Sequence, residues 1–551
     1  MEAAAAPSRL SVISSCSSQI KTREYFVRPC EFVCNYPFND TTKWAITCRV
    51  WGLLKYYQPN VAAGKVDWDK VLLDKLDDIN NSSTPEMVNA ELKKMLDLAG
   101  KYNDEKTSDW NDSLNMNINL CWLDHSFLDE SIKSELKKIA SLPVKYPSYY
   151  GLDVDSVSHT FIPQHEKVYD NINIPASFEY RLLALFRYWN AIYYFFPHKY
   201  LMDKSWDETL TESIFPFIDA ANEQFYQIAF LKLAASLNDG HAYINFTNYY
   251  PPESKDIIEN VEGKTIVKID AGELKKGDRI DSIRKLNINQ IRDSLSVLIS
   301  ASTRSNKEYR INCYVAEMIF FHETDLSVLR DGKELVIHTQ PVSFKKSTLT
   351  CPYKDISDDI GYVDLSVLTT DQIDLMFQFF SYKKCIVFDL RKTGPYNFDR
   401  GLLYCYLSYK KIIRFPEMVF GNLEHPGAFL WKQNTYMYAQ NGCHHFNRKI
   451  VFLVNESVQS SLETIAWLVR NNFHATLIGR PTSGSFGEVV WIPLPGNKRA
   501  AFSGFGFFSL DKTQLQRKGI IPDIEAYPTI ESIKDGKDEI LDAAIKYLNN
   551  H

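Results

Sequence analysis

The chain has 551 residues, of which 45% are hydrophobic and 24% are charged, and its formal net charge is −6. One hydrophobic core rarely holds so long a chain, so we expect about two to four domains. The acidic balance gives no electrostatic reason to expect a nucleic-acid partner, and no apolar run in the sequence is long enough to cross a bilayer.

Residues 1–35 are predicted to be a leader. Their first part, MEAAAAPSRLSVISSC, is rich in small residues and poor in charge, and I-S-S-C resembles a bacterial lipoprotein cleavage site with Cys16 as the lipidated residue. The alternative is a disordered leader, because neither a long apolar segment nor a basic start is present. The ten cysteines show no C-x-x-C spacing, so we predict no metal site and no required disulfide.

Residues 36–250 are predicted to form a helical domain with an internal duplication. The stretch RVWGLLKYYQPNVAAGKVDWDKVL is similar to RYWNAIYYFFPHKYLMDKSWDETL, which begins 138 positions later. Apolar residues recur at helical spacing in both, so we place the copies around 43–80 and 181–218. Two copies are too few for a solenoid, and we expect the shared tryptophans to pack helix pairs. Residues 101–177, between the copies, read as an irregular insert.

The second copy leads into a helix that runs to about Leu237 and meets the stop signal N-D-G. His241 follows on a tight turn, and the alternating stretch HAYINF after it predicts a strand. From the local pattern alone, a lone histidine is more often an ordinary packed or surface residue than a catalytic base.

Residues 255–345 are predicted to be mainly β. The segments KTIVKI, DRIDSIRKL and ELVIHTQPV alternate or run apolar, and a helical stretch near Gln290 to Ser300 interrupts them. Residues 355–551 form the predicted core. Strands and helices alternate there as far as Gly479, which indicates a mainly parallel sheet with helices packed on it.

Within that core, Lys449 to Val454 reads as a buried strand, and a helix begins near Ser460 or Ser461. A serine at such a strand-to-helix turn lies beside unpaired N–H groups at the positive end of the helix, which can hold a developing oxyanion. The alternative is simple helix capping, for which serine is favoured without any catalytic role. A helix dipole alone does not ionise a serine, so catalysis also requires a base.

The order strand, small polar residues, S-x-x-E, helix, strand and G-x-P-T-x-G resembles the C-terminal core of the tail-specific or C-terminal processing peptidases, family S41. The likeness extends through QRKGIIPDIEAYPTI and, more loosely, back to about Phe178. It implies a multidomain α+β fold, with an N-terminal helical domain, a PDZ-like β module and an α/β crotonase-like (ClpP/crotonase) peptidase core. ELKKGDRIDSIRKLNINQI carries the G-D-x-I turn that resembles the PDZ-like module.

The resemblance also implies roles for individual residues. Ser460 takes the place of the nucleophile. D-G-H-A-Y resembles the S-H-A-Y turn of the tricorn-type members, which makes His241 the general base. D-L-R-K-T-G-P resembles a D-x-R-x-x-G-G turn, so the amide of Gly394 becomes an oxyanion donor with the amide of Ser461 as its partner. Pro395 replaces the second glycine and has no N–H to donate.

Two catalytic versions of the family are known, and the sequence separates them. In the Ser–Lys version a lysine lies 25 residues after the nucleophile, whereas this chain has Ser485 there and no lysine before Lys498. The Ser–Lys dyad is therefore excluded, and the tricorn-like Ser–His version is favoured.

The tricorn-like version orients its histidine through a serine directly before it and a glutamate near G-x-x-P-D-I. Here Gly240 precedes His241, and the position of the glutamate aligns near Gln516. A base without a fixed tautomer works less well. Candidate orienting groups are therefore Gln516, Asp239 and Glu488.

These assignments predict a serine-type endopeptidase that hydrolyses extended or unfolded polypeptides through an acyl-enzyme, with reduced or specialised activity and no cofactor or metal. The PDZ-like module is expected to engage peptide C-termini as an added strand. The alternative is a catalytically impaired S41-like protein that binds peptides or other ligands. Acyl-CoA chemistry on the crotonase-like core is a third interpretation. The family implies export to the periplasm or cell envelope of a bacterium, as a lipoprotein if Cys16 is modified, and the oligomeric state is not predicted.

Overall fold

The computed structural model describes residues 37–103, 115–144, 148–150, 153–154, 161–172, 177–245, 257–342, 351–392, 394–407, 412–422, 424–432, 436–438 and 444–550. The predicted leader, with Cys16, lies outside these residues. Among the described helices, none is both long and apolar enough to cross a membrane. Helices and strands both contribute extensively, and the prediction of a multidomain α+β chain is confirmed.

The α-helices are α1 (Asp40–Tyr57), α2 (Pro59–Ala62), α3 (Trp68–Asn80), α4 (Pro85–Ala99), α5 (Glu130–Ala140), α6 (Phe178–Phe195), α7 (Trp206–Ile218), α8 (Glu223–Ala235), α9 (Ile288–Ser296), α10 (Arg304–Phe320), α11 (Thr370–Phe379), α12 (Arg400–Leu407), α13 (Ser461–Phe473), α14 (Ile530–Asp535) and α15 (Glu539–Asn550). Short 3₁₀ turns lie at Cys121–Asp124 and Lys199–Leu201.

The strands are β1 (Asn115–Met116), β2 (Asp153–Val154), β3 (Phe161–Ile162), β4 (Ile244–Asn245), β5 (Ile258–Val261), β6 (Lys264–Val267), β7 (Arg279–Ile283), β8 (Leu286–Asn287), β9 (Thr324–Arg330), β10 (Lys333–Thr339), β11 (Tyr353–Asp355), β12 (Ile360–Asp364), β13 (Cys385–Asp389), β14 (Ile412–Arg414), β15 (Glu417–Gly421), β16 (Ala428–Lys432), β17 (Tyr436–Tyr438), β18 (Lys449–Val454), β19 (Thr476–Gly479), β20 (Val489–Leu494), β21 (Lys498–Ser503), β22 (Phe505–Phe508) and β23 (Ile524–Glu525).

The chain divides into two compact units. The helical unit comprises Met1–Glu166, Ser177–Ile218 and Phe420–Leu430, and the mixed unit comprises Lys167–Ala176, Asp219–Val419 and Trp431–His551. The sequence prediction placed residues 219–245 in the helical domain, whereas they belong to the mixed unit. The reason is that α8 leads into β4, and β4 pairs with β21 of that unit.

The two similar sequence stretches form equivalent helices in the helical unit. Each end of α6 lies 138 positions after the corresponding end of α1, and each end of α7 lies 138 positions after that of α3. Both long helices stop just before a proline, Pro59 in the first copy and Pro197 in the second. A proline restricts the preceding residue to extended backbone and cannot donate the next helical hydrogen bond, which explains the shared end.

Within each copy, two tryptophans join the long helix to the next helix through reciprocal hydrogen bonds. Trp51 Nε1 donates to the carbonyl of Trp68 at 3.2 Å and Trp68 Nε1 to that of Trp51 at 2.9 Å. In the second copy, Trp189 donates to Trp206 at 2.8 Å and Trp206 to Trp189 at 2.9 Å. The shared tryptophans therefore satisfy their only polar atoms while their rings fill the core.

Charged pairs join the two copies to each other. Arg49 of the first copy lies 2.6 Å from Asp207 of the second, and Arg187 of the second lies 2.6 Å from Asp69 of the first. Arg187 and Asp207 are the counterparts of Arg49 and Asp69. Such a reciprocal pattern, in which i contacts j and j contacts i, is the contact pattern of an isologous interface.

Residues 257–342 of the mixed unit form an antiparallel sheet with strand order β10-β9-β7-β6-β5, and β8 pairs with β7. Residues from α9 and α10, among them Ile311, Val315 and Ile319, contribute to one buried cluster with the sheet. The segments named from the sequence correspond to β6, β7 and β10, whereas β5 and β9 were not predicted. The helix α10 was also missed, because its first half is polar and hides the helical spacing of its apolar residues.

The core sheet has strand order β11-β12-β13-β18-β19-β23. All of its neighbouring strands run parallel except β11, which is antiparallel to β12. All residues of β12 and β13 are buried, as expected for a parallel sheet covered on both faces. Because β13 and β18 are parallel neighbours, the loops after them leave the same edge of the sheet.

The expectation that no disulfide is required is wrong for this structure, because Cys121 and Cys405 are both disulfide-bonded. Neither cysteine lies in a local spacing motif, so no pattern in the sequence predicts the bonds. Cys48, Cys313, Cys351 and Cys385 are free.

Candidate active site

Ser460 lies at the turn between β18 and α13, as the N-cap residue of α13, with φ 58° and ψ −121°. This positive φ is strained for a residue with a Cβ, and such strain is stored where a side chain must be presented in a fixed direction. The hydroxyl of Ser460 is partly exposed and lies 3.5 Å from the carbonyl oxygen of Gly487.

Glu463 holds the turn that contains Ser460 in place through hydrogen bonds. It is fully buried and accepts hydrogen bonds from the amides of Ser460 at 3.2 Å, Gly484 at 2.7 Å and Ser485 at 2.9 Å, and from the hydroxyl of Thr482 at 2.5 Å. Burial raises the pKa of Glu463 to about 7, and the four hydrogen bonds oppose that rise. The glutamate of the S-x-x-E motif therefore ties the helix start to the following 482–485 loop.

His241 lies on the turn before β4, and its ring is held from one side. Nδ1 lies 2.9 Å from the hydroxyl of Ser503, and this hydroxyl donates to Asp239 at 2.8 Å. Nε2 is buried and makes no hydrogen bond with the described residues. Burial lowers the pKa of His241, so the ring is neutral at neutral pH and Nε2 can accept a proton.

Asp239 is the charged centre of this network and is fully buried. Its carboxylate accepts from the amide of His241 at 3.1 Å, the amide of Ser503 at 2.7 Å and the side-chain amide of Gln516 at 2.9 Å, in addition to the Ser503 hydroxyl. The oxygen of Gln516 accepts from the amide of Phe486 at 2.9 Å. Gln516 therefore contacts Asp239, and neither ring nitrogen of His241 is bonded to it.

Gly240 has no room for a side chain. A Cβ built there would lie 1.9 Å from the hydroxyl oxygen of Ser485. That oxygen is fixed by hydrogen bonds with the hydroxyls of Ser302 and Ser483, both at 2.9 Å, and Ser302 also accepts from the Gly240 amide at 2.9 Å. The position at which the Ser–Lys version has its lysine thus carries a buried serine that packs against the histidine turn.

The residues before Ser460 and before His241 are in direct contact. Gln459 donates to the carbonyl of Gly240 at 3.1 Å. Arg310 of α10 donates to the carbonyl oxygen of Gly240 and to the side-chain oxygen of Gln459, the latter at 2.9 Å. The fold therefore joins two segments that are more than two hundred positions apart in the sequence. No hydrogen bond links the Ser460 hydroxyl to the imidazole, because Nε2 is unpaired.

Gly394 and Ser461 lie in the loops that leave β13 and β18 at the same edge of the core sheet. The hydroxyl of Ser457 donates to the carbonyl of Arg391 at 2.9 Å and joins these loops. A Cβ at Gly394 would lie 2.3 Å from the carbonyl oxygen of Ser366, so only glycine fits there. Neither the Gly394 amide nor the Ser461 amide donates to an acceptor in the described part of the chain.

Glu488 is exposed and contacts neither ring nitrogen of His241, since Nδ1 is bonded to Ser503 and Nε2 is unpaired.

Ser503 and Ser302 were missed at the sequence level. Both reach the site through pairing or packing over long sequence separations, and no local motif marks either one. Among the described residues, no group of three or more His, Cys, Asp or Glu side chains could hold a metal ion.

Residues 359–526 match the model of peptidase family S41. Among solved structures, the chain is similar to mature CPAF, with 13% identity and a TM-score of 0.53 over 67% of this chain and 97% of the other. It is also similar to mature CPAF complexed with lactacystin, with 12% identity and a TM-score of 0.52 over 68% and 99%. No curated protein matches the chain significantly. At these identities the two structures show a shared fold.

Proposed function

Because residues 359–526 match the model of peptidase family S41, a family of serine peptidases, we propose that the chain is an endopeptidase with Ser460 as nucleophile and His241 as general base. The observation that carries the proposal is the contact between Gln459 and Gly240, the residues that precede the two reacting groups. It supports a single site made of a strained serine turn and a buried imidazole with one unpaired nitrogen.

In the proposed mechanism, Nε2 of His241 takes the hydroxyl proton of Ser460 while the serine oxygen attacks the peptide carbonyl carbon. The imidazolium then protonates the leaving amine, and water hydrolyses the acyl-enzyme by the same route in reverse. The Ser460 hydroxyl must leave the carbonyl of Gly487 for this step. Catalytic hydrogen bonds are often long or absent without substrate and form in the complex.

The amides of Gly394 and Ser461 are the proposed oxyanion donors. Both have a free N–H in the described part of the chain, and Ser461 is the first residue of α13, where the helix dipole is positive. Donors of this kind stabilise the tetrahedral intermediate because they are already aimed at the developing charge.

The proposed substrates are extended or unfolded polypeptides. The antiparallel sheet of residues 257–342 ends in the edge strands β10 and β5, and an open edge can accept a peptide as an added strand. We assign this sheet as the PDZ-like module that engages substrate C-termini.

Export to a bacterial envelope, with lipidation at Cys16, is part of the proposal, and the disulfide-bonded Cys121 and Cys405 agree with an oxidising compartment.

The test is cleavage of a denatured protein by wild type and by Ser460→Ala. Loss of turnover is expected with a nearly unchanged thermal midpoint, because the Ser460 hydroxyl makes only a long 3.5 Å contact with the carbonyl of Gly487 and a capping contact at the start of α13. Ser532→Ala, which removes the hydroxyl of a buried serine outside the proposed site, is the matched control. Unchanged turnover in Ser460→Ala removes Ser460 from the mechanism.

A fluorophosphonate probe distinguishes the enzyme from a binding protein that has lost catalysis. The probe is expected to label wild type and not Ser460→Ala. A folded wild type that binds peptides but does not react with the probe supports the binding alternative.

A further inference from the structure

We propose that Ser503 and Asp239 form the relay that fixes the tautomer of His241, in place of the serine and glutamate that orient the histidine in the tricorn-type pattern. Ser503 is the positioning residue in this assignment, and Asp239 acts through it. The inference rests on the proposed function of His241 as the base.

The direction of the hydrogen bonds follows from the number of protons available. An ionised carboxylate only accepts, so the hydroxyl proton of Ser503 points to Asp239. The same oxygen must then accept from His241, which places the ring proton on Nδ1. Nε2 is left as the unprotonated nitrogen, and it is also the nitrogen without a partner among the described residues.

During attack, the Ser460 proton moves to Nε2 of His241, and no other proton is transferred. Nδ1 keeps its hydrogen, and Ser503 keeps its own. The positive charge that forms on the ring is then stabilised by Asp239 across the Ser503 hydroxyl. The charged groups that act on His241 are Asp239, which favours the imidazolium, and Arg310, which opposes it.

Two departures from the tricorn-type pattern are explained by this relay. A serine at position 240 would displace the hydroxyl of Ser485, which occupies the space of its Cβ and is hydrogen-bonded to Ser302 and Ser483. A glutamate at position 516 would bring a second carboxylate to the place of the Gln516 amide, 2.9 Å from Asp239. Glutamine instead donates to Asp239, and its oxygen is held by the amide of Phe486. Gly240 and Gln516 are therefore both compatible with the carboxylate of Asp239.

The first experiment compares kcat and KM of Ser503→Ala with those of wild type on a denatured protein. We expect kcat to fall roughly 10²–10³-fold with KM nearly unchanged, as for loss of histidine orientation in general acid–base catalysis. Ser503→Thr, which keeps the hydroxyl, is expected to recover most of the activity. Ser532→Ala, at another buried serine remote from the site, is the matched control and is expected to keep wild-type kcat. A folded Ser503→Ala enzyme with wild-type kcat and pH profile overturns the relay.

The second experiment is Gln516→Glu, which reverses the natural departure from the family pattern. If His241 were oriented through position 516, the glutamate would preserve or raise kcat. If the relay runs through Ser503 and Asp239, two carboxylates compete at 2.9 Å, and kcat falls at least about tenfold at neutral pH with partial recovery at lower pH, where one acid is protonated. Activity equal to or above that of wild type contradicts the proposal.

The third measurement uses the wild-type chain and does not depend on any variant. Nitrogen-15 NMR of the His241 ring, assigned by its loss in His241→Gln, is expected to show the proton on Nδ1. A proton on Nε2 overturns the relay even if the enzyme is active. Absence of probe labelling with the proton on Nδ1 removes the peptidase function while leaving the hydrogen-bond assignment standing.

Discussion

The helical unit and the mixed unit each bury a network of polar side chains, and the two networks differ in composition. In the helical unit, Lys55 lies 2.7 Å from Glu166, and Arg187 lies 2.9 Å from Glu166 and 2.6 Å from Asp69. Two cations and two anions therefore balance each other, and none of their side chains is more than 4% exposed.

The network around His241 is built mainly from hydroxyls and amides around the single carboxylate of Asp239. It is directional, since each hydroxyl passes one hydrogen bond onward, and it ends at an unpaired nitrogen. The charge-balanced cluster holds helices of the helical unit together. The chain of hydrogen bonds at His241 instead orients the ring and leaves Nε2 available to accept a proton. Changes to the two networks should therefore separate stability from catalysis.

The largest expected effect on catalysis comes from His241→Gln, which removes the proposed base and keeps a neutral polar side chain. We expect kcat to fall about 10³-fold or more, because the side-chain amide that replaces the imidazole cannot take up the Ser460 proton. The thermal midpoint should change by only a few degrees, since Nε2 contributes no hydrogen bond to the fold. Steady-state kinetics and calorimetry measure the two quantities. A large loss of stability with retained kcat would assign this network a structural role.

The largest expected effect on stability comes from Arg187→Met. It leaves Asp69 and Glu166 buried without one of their cations, which should lower the free energy of unfolding by about 3–5 kcal/mol. The kcat of the folded fraction should stay unchanged. Arg49→Met is the matched change in the other copy, and its partner Asp207 is 26% exposed, so about 1–2 kcal/mol is expected. Urea unfolding measures both, and equal losses would show that exposure does not set the difference.

A smaller effect than that of Arg187→Met is expected from the pH dependence of Glu463. Its pKa of about 7 lies above the value of about 4.3 expected for the unfolded chain. Between these pH values the folded chain holds a proton that the unfolded chain has lost, so the free energy of unfolding falls as the pH rises and stays lower above pH 7. Glu463→Gln cannot titrate and should lack this loss, which we expect to be about 2 kcal/mol between pH 5 and pH 8. Identical pH dependences of the two proteins would show that Glu463 does not titrate in this range.

The sequence predicted the features that repeat or have a local period. The matched tryptophans revealed the similar helical stretches, and the buried strand followed by S-x-x-E located the turn at Ser460. Both signals lie within a few tens of residues, where apolar spacing and turn chemistry determine the backbone.

The relay to His241 could not be predicted in the same way. Asp239 was one of three candidates, and Ser503 was not considered, because it approaches the ring only through the pairing of β21 with β4. The 262 positions between His241 and Ser503 carry no local pattern that specifies this contact.

The crossed pairing of Arg49 with Asp207 and Arg187 with Asp69 has a consequence for fragments of the chain. A fragment with one copy carries one arginine and one aspartate of these two ion pairs. Two identical fragments can therefore pair the arginine of each with the aspartate of the other. A fragment that contains only the first copy is expected to be a homodimer, with Arg49 of each molecule facing Asp69 of the other. Its dissociation on replacement of either residue would show that the two copies within one chain retain the geometry of a two-chain assembly.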